Sequence, residues 1–308
     1  VTELLFWAAA TVVGWTYVGF PVVATLRGRL RPRPVSAAPV TPSISLIIAA
    51  RNEAGVIGAK LDNLAAVDYP AARLEVLVAS DGSEDATGDP VRARPGVRLL
   101  ELPRVGKAAA LNAAVAQARG DVLVFSDANS LFARDALRAL VAPFADPEVG
   151  GVAGDQRYVA DGGEATVAEG ERRYWALDRM IKQAESRAGS VVSATGAIYA
   201  VRRSLFQPVP EGVTDDFATS TAVIAQGRRL VFAPGAAAFE PVGRTAGLEF
   251  GRKVRVMTRG LNGVVARRGL LNPRRHGFYA LELLTHKVLR RLMAIPLLVL
   301  AATAARLG

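Results

Sequence analysis

Five short clusters in this 308-residue chain carry side chains able to hold or move charge: Arg51-Asn52-Glu53, Asp81, Lys107, Asp127 with Asn129, and Asp215-Asp216. A carboxylate with an amide two residues on, as in Ser126-Asp127-Ala128-Asn129 after an apolar strand, points two polar groups into a ligand crevice. Adjacent acids, as in Thr214-Asp215-Asp216, offer a general base. Arginine and lysine pair with phosphate oxygens. The chemistry on offer is therefore binding of a phosphorylated ligand and removal of a proton. There is no cysteine, so disulfides, thiolate metal sites and a cysteine nucleophile are excluded, and two histidines rule out a histidine-rich metal cage. Plainer roles are open to the same residues. Asp127 and Asn129 also suit a turn, and one of Asp215 and Asp216 suits a helix N-cap.

The elements that position these residues follow from pattern. Ala108 to Ala118 is alanine-rich with Leu111 and Val115 on one face, which predicts a helix stopped by Gly120-Asp121. Val122-Leu123-Val124-Phe125 is continuously apolar and suits a strand buried on both faces. Ser43–Ala50, Leu74–Ala79 and Val97–Leu102 read the same way. Helical periodicity runs through Val56, Leu61 and Leu64 until Asp68-Tyr69-Pro70 breaks it. Strands alternating with helices predict an α/β fold with a doubly wound sheet. Ligands bind such sheets at the strands' carboxyl ends, where Arg51, Asn52, Glu53, Asp81, Asp127 and Asn129 fall.

Further on, Arg134–Phe144 predicts a helix, Val149–Val159 extended chain and Leu230–Ala233 a strand. A long polar helix over Glu164–Ala188 is expected to lie over the crevice. Thr195-Gly196-Ala197 forms a small-residue turn that permits close backbone approach. Asp215-Asp216 open a helix to Ala225. Arg252, Lys253, Arg255 and Arg259 share one helical side, which suits either a basic face at a membrane surface or a diphosphate clamp.

Composition adds the setting. Hydrophobic residues make up 51% of the chain and the net charge is +10. Leu4–Leu26 is a 23-residue run without a charge, long enough to span a bilayer. Glu3 before it and Arg27, Arg29, Arg31 and Arg33 after it place the succeeding domain on the cytoplasmic side. The arginines cluster beside apolar segments and not among aromatics, which favours a membrane face over nucleic acid. The expected order is a transmembrane helix (1–30), a linker (31–42), a cytoplasmic catalytic domain (43–262) and a basic loop with an amphipathic interface helix (263–291). The start of a C-terminal membrane region (292–308) completes it. Lys287, Arg290 and Arg291 are expected on the polar side of the interface helix, and His286 is read as structural.

AARNE (49–53), SDGS (80–83), GKAAALN (106–112), SDAN (126–129), TGAIYA (195–200), TDD (214–216), RKVR (252–255) and THKVLRR (285–291), in this order, resemble the membrane-bound family 2 glycosyltransferases. That group includes cellulose, hyaluronan and poly-N-acetylglucosamine synthases. The resemblance implies a GT-A fold, a Rossmann-like mixed sheet flanked by transmembrane and interfacial helices, in a bacterial plasma membrane. It implies a nucleotide-diphosphate sugar, of the UDP class, held by Ala50, Arg51, Glu53, Asp81, Lys107 and Asp127. It implies Mg²⁺ or Mn²⁺ at Asp127 and Asn129, with Asn129 standing where the family has a second acid. Gly196 and Ala197 match the acceptor turn, Asp216 matches the catalytic base with Asp215 beside it, and Arg252, Lys253 and Arg255 match the diphosphate clamp. Processive synthases carry Q-x-x-R-W, but this chain has Arg252 and Val256 at the first and last positions. Inverting transfer to a membrane-proximal polysaccharide or lipid-linked acceptor is thus expected over processive synthesis, with a catalytically silent nucleotide-sugar-binding scaffold as the rival. No G-x-G-x-x-G follows the first strand, which sets aside a dinucleotide enzyme.

Overall fold

Strands that are apolar at every position must be covered on both faces, and the chain supplies helices for both. A computed structural model describes residues 1–159, 165–241 and 246–307. Its strands are β1 (Ile44–Ala50), β2 (Leu74–Asp81), β3 (Val97–Leu102), β4 (Val122–Phe125), β5 (Leu131–Phe132), β6 (Val149–Val159), β7 (Tyr199–Arg202) and β8 (Arg229–Pro241). They form one eight-stranded sheet in the order β3-β2-β1-β4-β7-β6-β8-β5. β1 to β4 run parallel, while β7 pairs antiparallel with both β4 and β6. The reversal at β7 matters for function. It brings the start of β7 to the edge where β4 ends, so Phe125 faces Tyr199.

Alternate residues of each parallel strand enter opposite cores. Leu46, Ile48, Val76, Val78, Val122 and Val124 pack with Ile57, Leu61 and Leu64 of α2 (Ala54–Ala65). Ile47, Leu77, Leu123 and Phe125 pack with Ala110, Leu111 and Ala114 of α3 (Lys107–Ala116) and with Phe217. Beyond β5, Leu137, Leu140 and Val141 of α4 (Ala136–Val141) join the first core.

The amino-terminal helix α1 (Thr2–Leu30) is 29 residues long and contains an 18-residue stretch of mean hydropathy 1.5, long and apolar enough to cross a membrane. Its last third does not stand free. Phe20 and Ala24 pack against Ile181 of α5 (Ala165–Ala188), and Gly28 lies so close to the Ala184 carbonyl that a Cβ would sit 2.7 Å from its oxygen. The far half of this long polar helix lies against α1 and β8, with Ile181 and Ala184, buried apolar positions one turn apart, meeting α1, and the side chains at 164–174 lie outside the described residues.

α6 (Asp215–Ala225) starts at the acidic pair, as its sequence predicts. α7 (Ala246–Ala266) carries the basic stretch. The expected interface helix is present as one element, and the bend beyond it falls where the C-terminal segment is expected to start. α8 (Phe278–Leu289) ends in a π-helical turn over Leu284–Leu289 and is bent by 67° from α9 (Ala294–Leu307), which packs on the first half of α1. The π turn shifts the face each residue presents. Lys287, Arg290 and Arg291 are half-buried instead of lining an outer polar side. His286 bonds Glu185 at 2.8 Å, which gives it the structural role expected.

Candidate active site

Four loops at one sheet edge build the site. After β1, Asn52 adopts a left-handed backbone (φ 55°) and its side-chain oxygen accepts from the Glu84 amide at 2.9 Å. The Glu53 amide donates to Thr87 at 2.8 Å, so the Arg51–Glu53 loop is clamped to the loop after β2. Ala50 is buried beneath it, and Arg51 reaches toward Glu84 at 3.9 Å. Asp81 is buried, and its Oδ1 accepts from the amides of Val105 and Gly106 at 2.7 and 2.8 Å. Gly106 holds φ 91°, which favours glycine, and the chain then enters α3 with Lys107 as its first residue. Asp81 thereby shapes the loop that presents Lys107.

Lys107 is the hub. Its Nζ lies 2.8 Å from Asp127 Oδ1 and 3.0 Å from Asp215 Oδ1, joining the loop after β4 to the start of α6. Although desolvation opposes it, the two carboxylates hold the Lys107 pKa above the ordinary lysine value. Glu53 shares the same field. Burial, then Asp127 and Asp85, raise its pKa.

The antiparallel β4–β7 pairing sets the other wall. The Asp127 amide donates to the Gly196 carbonyl at 3.1 Å. A Cβ on Gly196 would sit 2.6 Å from Asp127 Oδ2, so a side chain there would displace the acid. Ala197 is buried next to it, and Thr195 Oγ1 is buried without a hydrogen-bond partner among the described residues. Asp216 Oδ1 accepts from the Phe217 amide at 2.7 Å. Burial first, then Asp215, raise the Asp216 pKa, while Lys287 opposes them. The sequence does not reveal that Lys287 and Arg291 lie in the field of Asp216. Arg291 gets there past a bare helix position, for a Cβ on Gly260 would sit 2.1 Å from its guanidinium.

Among the described residues, no three or more His, Cys, Asp or Glu side chains gather as a metal cage. The donors are Asp127 and the exposed Asn129, both hard oxygens on one loop. That set fits an ion such as Mg²⁺, which takes one or two protein oxygens and completes its shell with water and substrate phosphates. Of the expected diphosphate clamp, Arg255 is exposed on α7, and the side chains of Arg252 and Lys253 lie outside the described residues.

A half-parallel sheet reversed at β7, with an acid and an amide after β4 and an acidic pair opening the helix beyond, defines a GT-A glycosyltransferase. The chain belongs to the family described as "Glycosyltransferase like family 2", which matches residues 42–263. It is 28% identical over 236 residues to a β-monoglucosyldiacylglycerol synthase of Synechocystis, covering 70% of this chain and 49% of that protein. It is 30% identical over 224 residues to an N-acetylglucosaminyltransferase of Rhizobium meliloti, covering 66% and 52%. The chain thus spans about half the length of these curated relatives. Among solved structures it is similar to a mannosyltransferase from Pyrobaculum calidifontis in complex with GDP-Man and Mn²⁺. The TM-score is 0.77 at 26% identity, over 99% of this chain and 86% of that one.

Proposed function

We propose that this enzyme transfers a sugar, with inversion, from a nucleotide-diphosphate sugar of the UDP class to a hydroxyl of a membrane-proximal polysaccharide or lipid-linked acceptor. The observation that carries the reading is the Lys107 bridge, which joins Asp127 to Asp215 at 2.8 and 3.0 Å. It links the loop that would bind the donor with the acids that would serve the acceptor.

In this reading Ala50, Arg51, Glu53, Asp81 and Lys107 form the nucleotide and phosphate wall. Asp127 and Asn129 would hold Mg²⁺ or Mn²⁺, which when bound supplies charge neutralisation at the diphosphate. Gly196 and Ala197 leave room for the acceptor. Asp216 takes the proton from the acceptor hydroxyl as that oxygen bonds to the anomeric carbon, while the bond from that carbon to the diphosphate oxygen breaks and the nucleoside diphosphate leaves with the electron pair. Arg252, Lys253 and Arg255 would receive the departing diphosphate. The apolar helix followed by Arg27, Arg29, Arg31 and Arg33 supports an integral protein with its catalytic domain, 43–262, facing the cytoplasm. Arg252 and Val256, in place of the glutamine and tryptophan of processive synthases, support addition of few sugars.

A panel of radiolabelled UDP- and GDP-sugars incubated with native membranes tests the proposal. Transfer of label from one donor into a short or lipid-extractable product supports it. Long polymer indicates a processive synthase, and saturable binding with neither transfer nor hydrolysis indicates a silent scaffold.

A further inference from the structure

Beneath the loop that carries Asp127 and Asn129 lies a lysine that the transfer chemistry does not call on. Lys60 is on α2 and 0% exposed, inside the apolar face formed by Ile57, Leu61 and Leu64. Its ammonium has three donors, and three groups receive it. Nζ donates to Ser126 Oγ at 2.8 Å and to the Ser130 carbonyl, and it stands 3.6 Å from the centre of the Phe132 ring. Ser126 and Ser130 are the two ends of the Asp127–Asn129 loop.

The bonding continues past the loop. Ser126 Oγ donates to the Ala197 carbonyl at 2.9 Å, so the ammonium reaches the Thr195–Ala197 turn through one hydroxyl. Ser130 Oγ bonds the buried Glu240, which accepts from Gln156 Nε2 at 2.6 Å and supplies the countercharge. Burial pulls the Lys60 pKa down to about 7, against the pull of Asp127 and Glu240. A leucine or methionine would fill this space without burying a charge, so packing alone does not call for an ammonium here.

We propose that Lys60 is a positioning residue of the transfer site. Its ammonium holds the Ser126–Ser130 loop and the Thr195–Ala197 turn in one arrangement, so that Asp127 and Asn129 face the donor while Gly196 and Ala197 face the acceptor. The assignment rests on the donor and acceptor roles proposed above. It goes beyond them in tying the two walls to one buried group that touches neither substrate.

The test compares the full chain, in lipid nanodiscs, with Lys60→Met and Ser126→Ala. Two quantities are read: amide hydrogen exchange, and binding of UDP and GDP with and without Mn²⁺. In Lys60→Met, exchange at 126–130 and 195–197 should quicken by about tenfold or more while β1, β2 and the core of α2 keep their protection. Mn²⁺-dependent nucleotide affinity should fall by about tenfold, the loss of one charge-assisted bond. Metal-independent nucleotide binding should change little. Ser126→Ala removes the hydroxyl that relays Lys60 to Ala197 and leaves the Lys60 bond to the Ser130 carbonyl in place, so exchange should quicken at 195–197 more than at 130, and this variant decides the matter if Lys60→Met does not fold. Unchanged exchange in both segments, or a rise spread evenly over the whole chain, overturns the proposal. If the wild-type chain binds neither nucleotide, the donor-site reading fails, and the exchange pattern still decides whether Lys60 ties loop to turn.

Discussion

Replacing Lys107 by methionine removes the cation shared by Asp127 and Asp215 while keeping a straight chain of similar length. Each of its two short bonds is of the charge-assisted kind, which contribute about 1.5–3 kcal/mol apiece. Lys107 and Asp127 are 41% and 36% exposed, whereas Asp215 is 14% exposed, so water screens one bond more than the other. A bond of the same kind from the 41% exposed Lys107 to a diphosphate oxygen, discounted in the same way, is about 2 kcal/mol, or roughly 30-fold in nucleotide affinity. The same change leaves Asp127, Asp215 and Glu53 without their compensating cation. Mn²⁺ should therefore bind the nucleotide-free variant more tightly than it binds the wild type. Calorimetric titration of UDP, of GDP and of Mn²⁺ alone reads both effects, and their opposite signs are the signature. Nucleotide affinity within about threefold of wild type, or Mn²⁺ affinity falling in parallel, would refute the placement of Lys107 between the two walls.

Gly196→Ala puts a Cβ 2.6 Å from Asp127 Oδ2 and pushes the carboxylate aside, so steady-state kinetics should show kcat/KM for the donor down by about 10–100-fold with Tm nearly unchanged. Asp216 is raised by burial and by Asp215, and a base works only when ionised, so activity should be lost as pH falls through that raised value. Asp215→Asn removes the neighbouring charge and should move the acid limb of the pH–rate profile to lower pH; a limb that stays in place contradicts the coupling. Asn129→Asp gives the loop a second carboxylate, and the half-saturating Mn²⁺ concentration should drop by about tenfold in an activity titration.

Much of this can be read from the chain because the signals are local. Val97–Leu102 and Asp215–Ala225 have the bounds their patterns predict, and the strand ends deliver Glu53, Asp81 and Asp127 to one edge. The features that escape the sequence depend on pairing between distant segments. Leu230–Ala233 is only the start of β8, for the run Gly235-Ala236-Ala237-Ala238 has no strand-like composition and becomes strand by pairing with β6. The approach of Gly196 to Asp127 follows from the antiparallel register of β4 and β7, which neither segment encodes alone. The interface helix departs from its expected polar side because a π turn at Leu284–Leu289 breaks the 3.6-residue period on which that side is drawn. Lys60 does leave a trace. It sits three residues after Ile57 and four before Leu64, a charged residue on an apolar face.

Removal of the acceptor proton by Asp216 is the step on which the proposed chemistry turns, and one comparison addresses it most directly. Purified wild type and Asp216→Asn are assayed side by side for label transfer from the active nucleotide-sugar and for binding of the matching nucleoside diphosphate with Mn²⁺. Turnover should be lowered by about 10²–10⁴-fold, the scale of a lost general base, with nucleotide affinity preserved. An Asp216→Asn enzyme that turns over like wild type would contradict that role.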